Sequence, residues 1–348
     1  MKRFFLVPIL CLLALSVAAQ PQIVEGTVYD SQTGEAISGV VIYLNGTTTI
    51  TVSDSEGMFR LTIDNNVNTS LIFSHLSYDP LVFRPPFNLM EKSFYLNPKV
   101  IMIEEARVIA NIDRFSRGRK LKAFKDQFLG ESKAGRSCTI LNEEDIVLNY
   151  DHTANRLSVF SLHPLIIRND YLAYLLTYDL THFMIRYKKN TLNSSDIEQC
   201  SFMGMSSFID QSHFNFTIAV RRNEMYGHSR AYFWKNLTEG TLEYAKLKMY
   251  SGGRPMMLDE HFCVTDSVTY SIIQIDTTIH KKITVWYQNR FISEMIVITD
   301  RIMVDRFGNI DAFDKVRYQG DMGRQRIGEM LPRDYVFNST QIPQRFKR

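Results

Sequence analysis

The sequence predicts a mainly β protein: an N-terminal seven-stranded β-sandwich followed by a β-rich α+β region. Three observations predict it. From Ile23 to about Val100, short apolar alternations of period two are cut by polar turns, with no helical period. Beyond Gly130, alternating runs dominate again, with helical stretches between them. The composition over 348 residues, 45% hydrophobic, 12% aromatic and 22% charged, suits about two folded domains. It excludes a disordered chain, a collagen and a small disulfide scaffold. Lys+Arg 40 against Asp+Glu 37 gives a net charge of +3, so no nucleic-acid partner is expected.

The first element is a targeting segment. Lys2 and Arg3 precede the apolar run from Phe4 to Leu15, and Val17-Ala18-Ala19 offers small side chains for cleavage before Gln20. That order predicts a secretory signal peptide over residues 1–19. The run is shorter than the ~20 residues a spanning helix needs. Cys11 lies inside it, which argues against a lipid anchor there. No later segment reads as a membrane span, so the mature chain is expected in the periplasm or on the periplasmic face of an outer membrane. Peripheral membrane contact is compatible with this placement. Cys138, Cys200 and Cys263 then remain, an odd number without CxxC spacing. They are read as small buried hydrophobes, with one disulfide as the alternative.

The sandwich, assigned to residues 20–100, follows strand by strand. Val24, Gly26 and Val28 alternate, then Asp30-Ser31-Gln32-Thr33-Gly34 turns the chain. Val40, Ile42 and Leu44 run into Asn45-Gly46, a hairpin signal. Asp54-Ser55-Glu56-Gly57 launches Phe59, Leu61 and Ile63 on one face. Leu71-Ile72-Phe73, Leu81-Val82-Phe83 and Phe94-Tyr95-Leu96 supply further strands. Asp54 and Glu56 are read as turn chemistry rather than a calcium site, and His75 as a structural residue at a strand end.

These residues carry a resemblance. Gly26-Thr27-Val28-Tyr29-Asp30, Thr33-Gly34-Glu35-Ala36-Ile37-Ser38-Gly39-Val40 and Asn45-Gly46-Thr47 are similar to the carboxypeptidase-like regulatory domain. Asp54-Ser55-Glu56-Gly57-Met58-Phe59 and Phe73-Ser74-His75-Leu76-Ser77-Tyr78 continue its pattern, while Ile50 and Ser77 stand where it usually has glycine. The resemblance implies a transthyretin-like sandwich, common in envelope proteins of Bacteroidetes-type bacteria and not itself a peptidase.

Residues 101–113 read as a connecting strand, 114–340 as the α+β domain, and 341–348 as a basic tail. The strand from Ile101 to Asn111 resembles one that leads into TonB-dependent receptors, but too little chain remains for a plug and a barrel. Residues 114–129 form a basic amphipathic helix. Leu121, Phe124 and Phe128 share a stripe, Arg117, Arg119, Lys120, Lys122 and Lys125 crowd the rest, and Gly130 ends it. The basic face is read as solvated, with contact to anionic lipid as the alternative. Strands are expected at 146–150, 157–160, 165–168, 171–187 and 201–208, then a helix from Arg222 to Leu237. The last strands fall at 242–250, 268–275, 283–287, 291–298 and 312–318. In order, Phe124–Gly130, Cys138–Asn142, Pro164–Asn169, Tyr174–Leu180 and Leu331–Tyr335 resemble a recurrent envelope arrangement in which such a sandwich precedes an uncharacterised domain. A Tyr-x-Gly-Ser piece of that arrangement falls on Tyr226-Gly227-His228-Ser229.

No familiar chemistry appears. HxxE and HExxH, needed for a zinc peptidase, are absent, as are GxSxG, SxxK, a Walker loop and GxGxxG. No cofactor is expected. Pairing Cys200 or Cys263 with His213 or His261 as a dyad has no local support. Asp259-Glu260-His261, after the Gly252-Gly253 turn, is the densest ionisable cluster and is read first as a hairpin tip. Two functions follow. The leading one is a non-catalytic exported envelope protein that binds an envelope protein or a glycan. The rival is a hydrolase in residues 114–340 using His228, Asp259, Glu260 or His261.

Overall fold

The computed structural model describes residues 22–337, apart from 64–67, 86, 89, 100–113, 214, 258–260, 268, 277–281 and 312–313. The expected signal peptide, connecting strand and basic tail, with Asp259 and Glu260, lie outside the described residues.

The expected seven-stranded sandwich comes first. Strands β1 (Gln22–Asp30), β4 (Met58–Ile63) and β7 (Ser93–Leu96) form one sheet in the order β4-β1-β7, with β7 parallel to β1. Strands β2 (Val41–Leu44), β3 (Ile50–Val52), β5 (Leu71–His75) and β6 (Tyr78–Phe83) form the other, β3-β2-β5-β6. Period-two alternation sends Val24, Val28, Phe59, Leu61 and Phe94 inward to meet Ile42, Leu44 and Phe73. Asp54 Oδ1 accepts from the amides of Glu56 and Met58, which is turn chemistry as expected.

Strands β8 (Cys138–Ile140), β9 (Ile146–Asp151), β10 (Arg156–Ser161), β11 (Leu165–Asn169), β12 (Tyr174–Tyr187) and β13 (Ile197–Asp210) build a six-stranded sheet. The first half of β12 pairs β11, the second half pairs β10, and β13 lines its other edge. Between Leu180 and His182 a bulge interrupts the register. It flips the parity of burial: Tyr174, Leu176, Tyr178 and Leu180 face the core before it, Phe183, Ile185 and Tyr187 after it. Helix α1 (Arg117–Phe128) covers that core face, where Phe124 and Phe128 meet Phe183 and Tyr178 edge-on. A short helix α2 (Lys133–Arg136) follows.

A separate core occupies the remainder. Helices α3 (Phe216–Gly227) and α4 (Arg230–Thr238) precede β14 (Leu247–Ser251), β15 (Arg254–Pro255), β16 (Phe262–Asp266), β17 (Tyr270–Ile275), β18 (Lys282–Tyr287), β19 (Phe291–Val297), β20 (Arg301–Asp305) and β21 (Val316–Gln319). Helix α5 (Gly320–Arg324) follows. The sheets β15-β14-β18-β19-β21 and β16-β17-β20 enclose Phe233, Trp234 and Leu237 of α4 together with Met295 and Ile302. Trp234 Nε1 donates to Tyr318 Oη at 2.7 Å, pairing the polar edge of a buried indole.

Three expectations are corrected. The single helix from Arg222 to Leu237 is two helices, because the chain stops at His228 and restarts on Ser229, whose hydroxyl accepts from Tyr232 N. The strand expected at 242–250 begins only at Leu247, after a turn in which Lys246 takes φ 57°. The three cysteines are free but not all buried: Cys138 is buried, Cys200 half-buried and Cys263 exposed. Burial pushes the Cys138 thiol up to about 12, the Asp170 charge adding to it, so it stays protonated.

The sandwich is docked on the six-stranded sheet. Tyr43 and Ile72 point away from the sandwich core yet are 2% and 0% exposed, so another layer covers them. Asp179 of β12, between the core-facing Tyr178 and Leu180, stands near Tyr43: burial and then the Asp179 charge push the Tyr43 phenol up. At the β2–β3 turn, Gly46 N donates to Ser206 O (2.6 Å) and Phe208 N to Thr47 O (3.0 Å). Ser206 N donates to Asn45 Oδ1 (2.9 Å), so the turn adds a scrap of strand to the edge of β13. The Leu331–Tyr335 piece straps over it: Arg333 N donates to Gly46 O (2.7 Å), and Asp334 accepts from Thr48 N and Oγ1.

Candidate functional site

A cleft of about 540 Å³ opens between the six-stranded sheet and the last core. His228 lines it, at the break between α3 and α4. Helix α3 starts on Asn215, whose side chain accepts from Thr217 N and Ile218 N. It ends where Gly227 lies so close to Tyr287 that a Cβ there would sit 2.5 Å from Tyr287 Oη. A side chain there would have to push the Tyr287 ring aside. The following residue is thereby turned out: the His228 imidazole stacks on Phe291 with ring centroids 4.1 Å apart and 19° between planes.

Phe291 and Arg290 are delivered by the tight turn between β18 and β19, where Gln288 and Asn289 take φ 52° and 55°. Beside them, Asp321 of α5 accepts from Ile292 N (2.7 Å) through Oδ2 and from Arg324 (2.9 Å) through Oδ1. Tyr171 forms the opposite wall, with the Arg221 guanidinium 4.6 Å and the Lys133 ammonium 5.4 Å from its ring centroid. Burial holds the His228 pKa below the usual histidine value and Arg290 adds to that, while Glu224 and Asp321 oppose it. The imidazole is therefore neutral near pH 7. The cleft offers aromatic faces and fixed charges of both signs. Among the described residues, no three His, Cys, Asp or Glu side chains converge as metal ligands would.

The expected site residues separate. His228 reaches the cleft. His261 lies at the entry to β16, half-buried, and does not line it. Asp259 and Glu260 fall outside the described residues. On α1, Arg117 donates to Ile146 O and Glu143 O, Lys122 pairs with Asp126, and Lys125 pairs with Glu143. Lys120 is corrected from surface to interior: it is 8% exposed, with Nζ donating to Leu148 O at 3.1 Å. Its long stem fills the helix's inner face while the amine finds a backbone acceptor. Arg119 stays exposed over the Phe115 ring. Sequence reasoning missed Tyr171, Arg290, Phe291 and Asp321. The gap between the strands expected at 283–287 and 291–298 left room for the turn that carries two of them, but nothing local linked that turn to His228.

Residues 24–108 match the family model of the CarboxypepD_reg-like domain. No curated protein matches the chain. Among solved structures, a 9R-lipoxygenase from Cyanothece PCC8801 aligns at 10% identity over 62% of this chain, with a TM-score of 0.18. The chain spans 45% of that structure's length, and a likeness of this size carries no argument.

Proposed function

We propose that this chain is a non-catalytic, exported protein of the cell envelope, and that the His228 cleft receives part of an envelope protein or glycan. One observation carries the reading. The cleft joins aromatic faces (Tyr171, His228, Phe291) to charges of both signs, and among the described residues its imidazole stacks on a phenyl ring and has no hydrogen-bonded acid or nucleophile. Stacking surfaces beside fixed charges favour recognition of a sugar or peptide. A general base, by contrast, needs a proton within hydrogen-bond reach. The sandwich serves as a fixed accessory, docked through Asn45–Thr48 and the outer face of β12.

The test is titration of purified residues 20–348 with soluble envelope glycans and envelope proteins, alongside Phe291→Ala. Micromolar binding that falls by about tenfold in the variant is the expected result. Lack of micromolar binding to either class, or binding indifferent to Phe291, removes the reading.

A further inference from the structure

The sheet β15-β14-β18-β19-β21 has two faces of different character. Alternation sends Leu247, Met249, Ile283, Val285 and Met295 into the last core and their neighbours the other way. Tyr287 and Trp286 part at this point: Tyr287 turns inward to the His228 ring, Trp286 outward. Every outward residue on β14, β18, β19 and β21 is exposed or half-buried, so no other layer of the described chain rests on that face. In register, Trp286 stands between Lys248 and Ile292, and Tyr250 between Pro255 and Thr284. The Trp286 and Tyr250 rings meet on the diagonal, centroids 5.6 Å apart with 53° between planes. Among the described residues the Trp286 indole N–H meets no acceptor and is not sealed from solvent, whereas that of the buried Trp234 is spent on Tyr318.

The charges around these rings say what the face takes. Glu294 is the one carboxylate among the outward side chains of the described strands, and Lys282 holds it at 2.8 Å. Lys248 and Arg317 are exposed and have no acidic partner among the described residues. The aromatic pair is therefore flanked by positive charge with no answering anion. Three strand spacings and four residues separate Lys248 from Arg317 in the register. At ~4.8 Å per strand and ~3.3 Å per residue, the two cations stand roughly 20 Å apart. A single sugar or a small anion cannot reach both; a chain of several sugar units can. Aromatic faces with a free N–H and phenol suit the apolar face and the hydroxyls of a sugar ring, and a guanidinium suits a carboxylate.

We propose that this sheet face binds an acidic polysaccharide chain laid across the strands, a sugar ring resting on Trp286 and Tyr250 and carboxylates facing Lys248 and Arg317. The His228 ring sits on the inward side of β18. The two sites are therefore separate, and this one stands whether or not the cleft binds anything.

The experiment is titration of residues 20–348 with hexagalacturonate, galacturonate, cellohexaose, inorganic polyphosphate and oligodeoxythymidylate, followed by calorimetry and tryptophan fluorescence. Hexagalacturonate is expected to bind saturably, with cellohexaose and single galacturonate weaker by about tenfold or more. Trp286→Ala is expected to weaken hexagalacturonate by about tenfold with an unchanged melting curve. The exposed variants Lys248→Gln and Arg317→Gln are expected to narrow the preference over cellohexaose, and they carry the test if Trp286→Ala melts early. Phe291→Ala is expected to leave every affinity alone. The proposal is overturned if hexagalacturonate shows no saturation up to about 1 mM, at the weak end of useful affinity. It is equally overturned if a folded Trp286→Ala binds as the parent does, or if both charge variants keep the full preference. If cellohexaose binds as tightly as hexagalacturonate, the acidic assignment fails. If polyphosphate or oligodeoxythymidylate binds as tightly, the face is one for anions at large and the sugar assignment fails.

Discussion

Arg222 is 6% exposed, a burial that a guanidinium tolerates only when its donors are matched. Nε donates to Leu172 O (2.8 Å), the fork grips Asp210 (2.7 and 2.9 Å), and Nη2 also reaches Ala173 O. The guanidinium lies 3.7 Å from the Tyr174 ring centroid. Burial alone would raise the Asp210 carboxyl, but hydrogen bonds from Arg222 and Ser212 outweigh it and hold the pKa at about 2. The folded value is thus below the unfolded one. The carboxylate stabilises the fold fully above about pH 4, and that contribution is lost as pH falls toward 2. Because the Asp210 side chain is 48% exposed, screening reduces the gain to the order of 1 kcal/mol. Asp210→Asn is expected to lower Tm at pH 7 and to flatten the acid loss between pH 4 and 2; an acid profile identical to the parent's would contradict this. Nothing in the sequence announced the pair. Both residue types are usually exposed, and only the reversal between β13 and α3 brings them together.

At the scale of elements, the α3–α4 break decides where His228 stands. Gly227→Ala would drive a methyl into Tyr287 Oη, and the Tyr287 ring is itself in contact with His228 and Tyr232. A loss of about 1–2 kcal/mol in urea unfolding is expected, since the ring cannot retreat without disturbing its neighbours. Retained stability would show that the turn relaxes freely. Most strands were legible because period-two burial leaves a period-two sequence, although those at Phe262–Asp266 and Arg301–Asp305 were not among the expected ones. The break was not, because apolar residues continue at helical spacing on both sides of it, while the Gly-then-Ser stop and restart occupies three residues. The parity flip in β12 was hidden for a similar reason: a bulge adds one residue, Thr181, that looks like any other polar position in an alternating run. In the cleft, His228 was legible as a residue, whereas its setting depends on chain segments far apart in sequence.

At the scale of the molecule, the sandwich and the rest of the chain meet through backbone as well as side chains. Gly46 takes φ 78°, and a Cβ there would sit 2.8 Å from Arg333 Cδ. Gly46→Val is expected to cost about 2 kcal/mol and to split calorimetric unfolding into two transitions, as the strap over the turn is forced away. A single cooperative transition at the parent's temperature would show that the junction couples nothing. The same junction bears on what the second region is without its sandwich. Strand β13 runs for 14 residues, and Asn45–Thr47 cover its outer edge at Ser206–Phe208. A chain beginning at residue 114 would bare those amides and carbonyls together with the β12 face that meets Tyr43. Open strand edges beside fresh apolar surface template self-association. Such a fragment would then adhere to copies of itself and to other proteins, and its catch would report a wound left by the cut rather than recognition belonging to the intact protein.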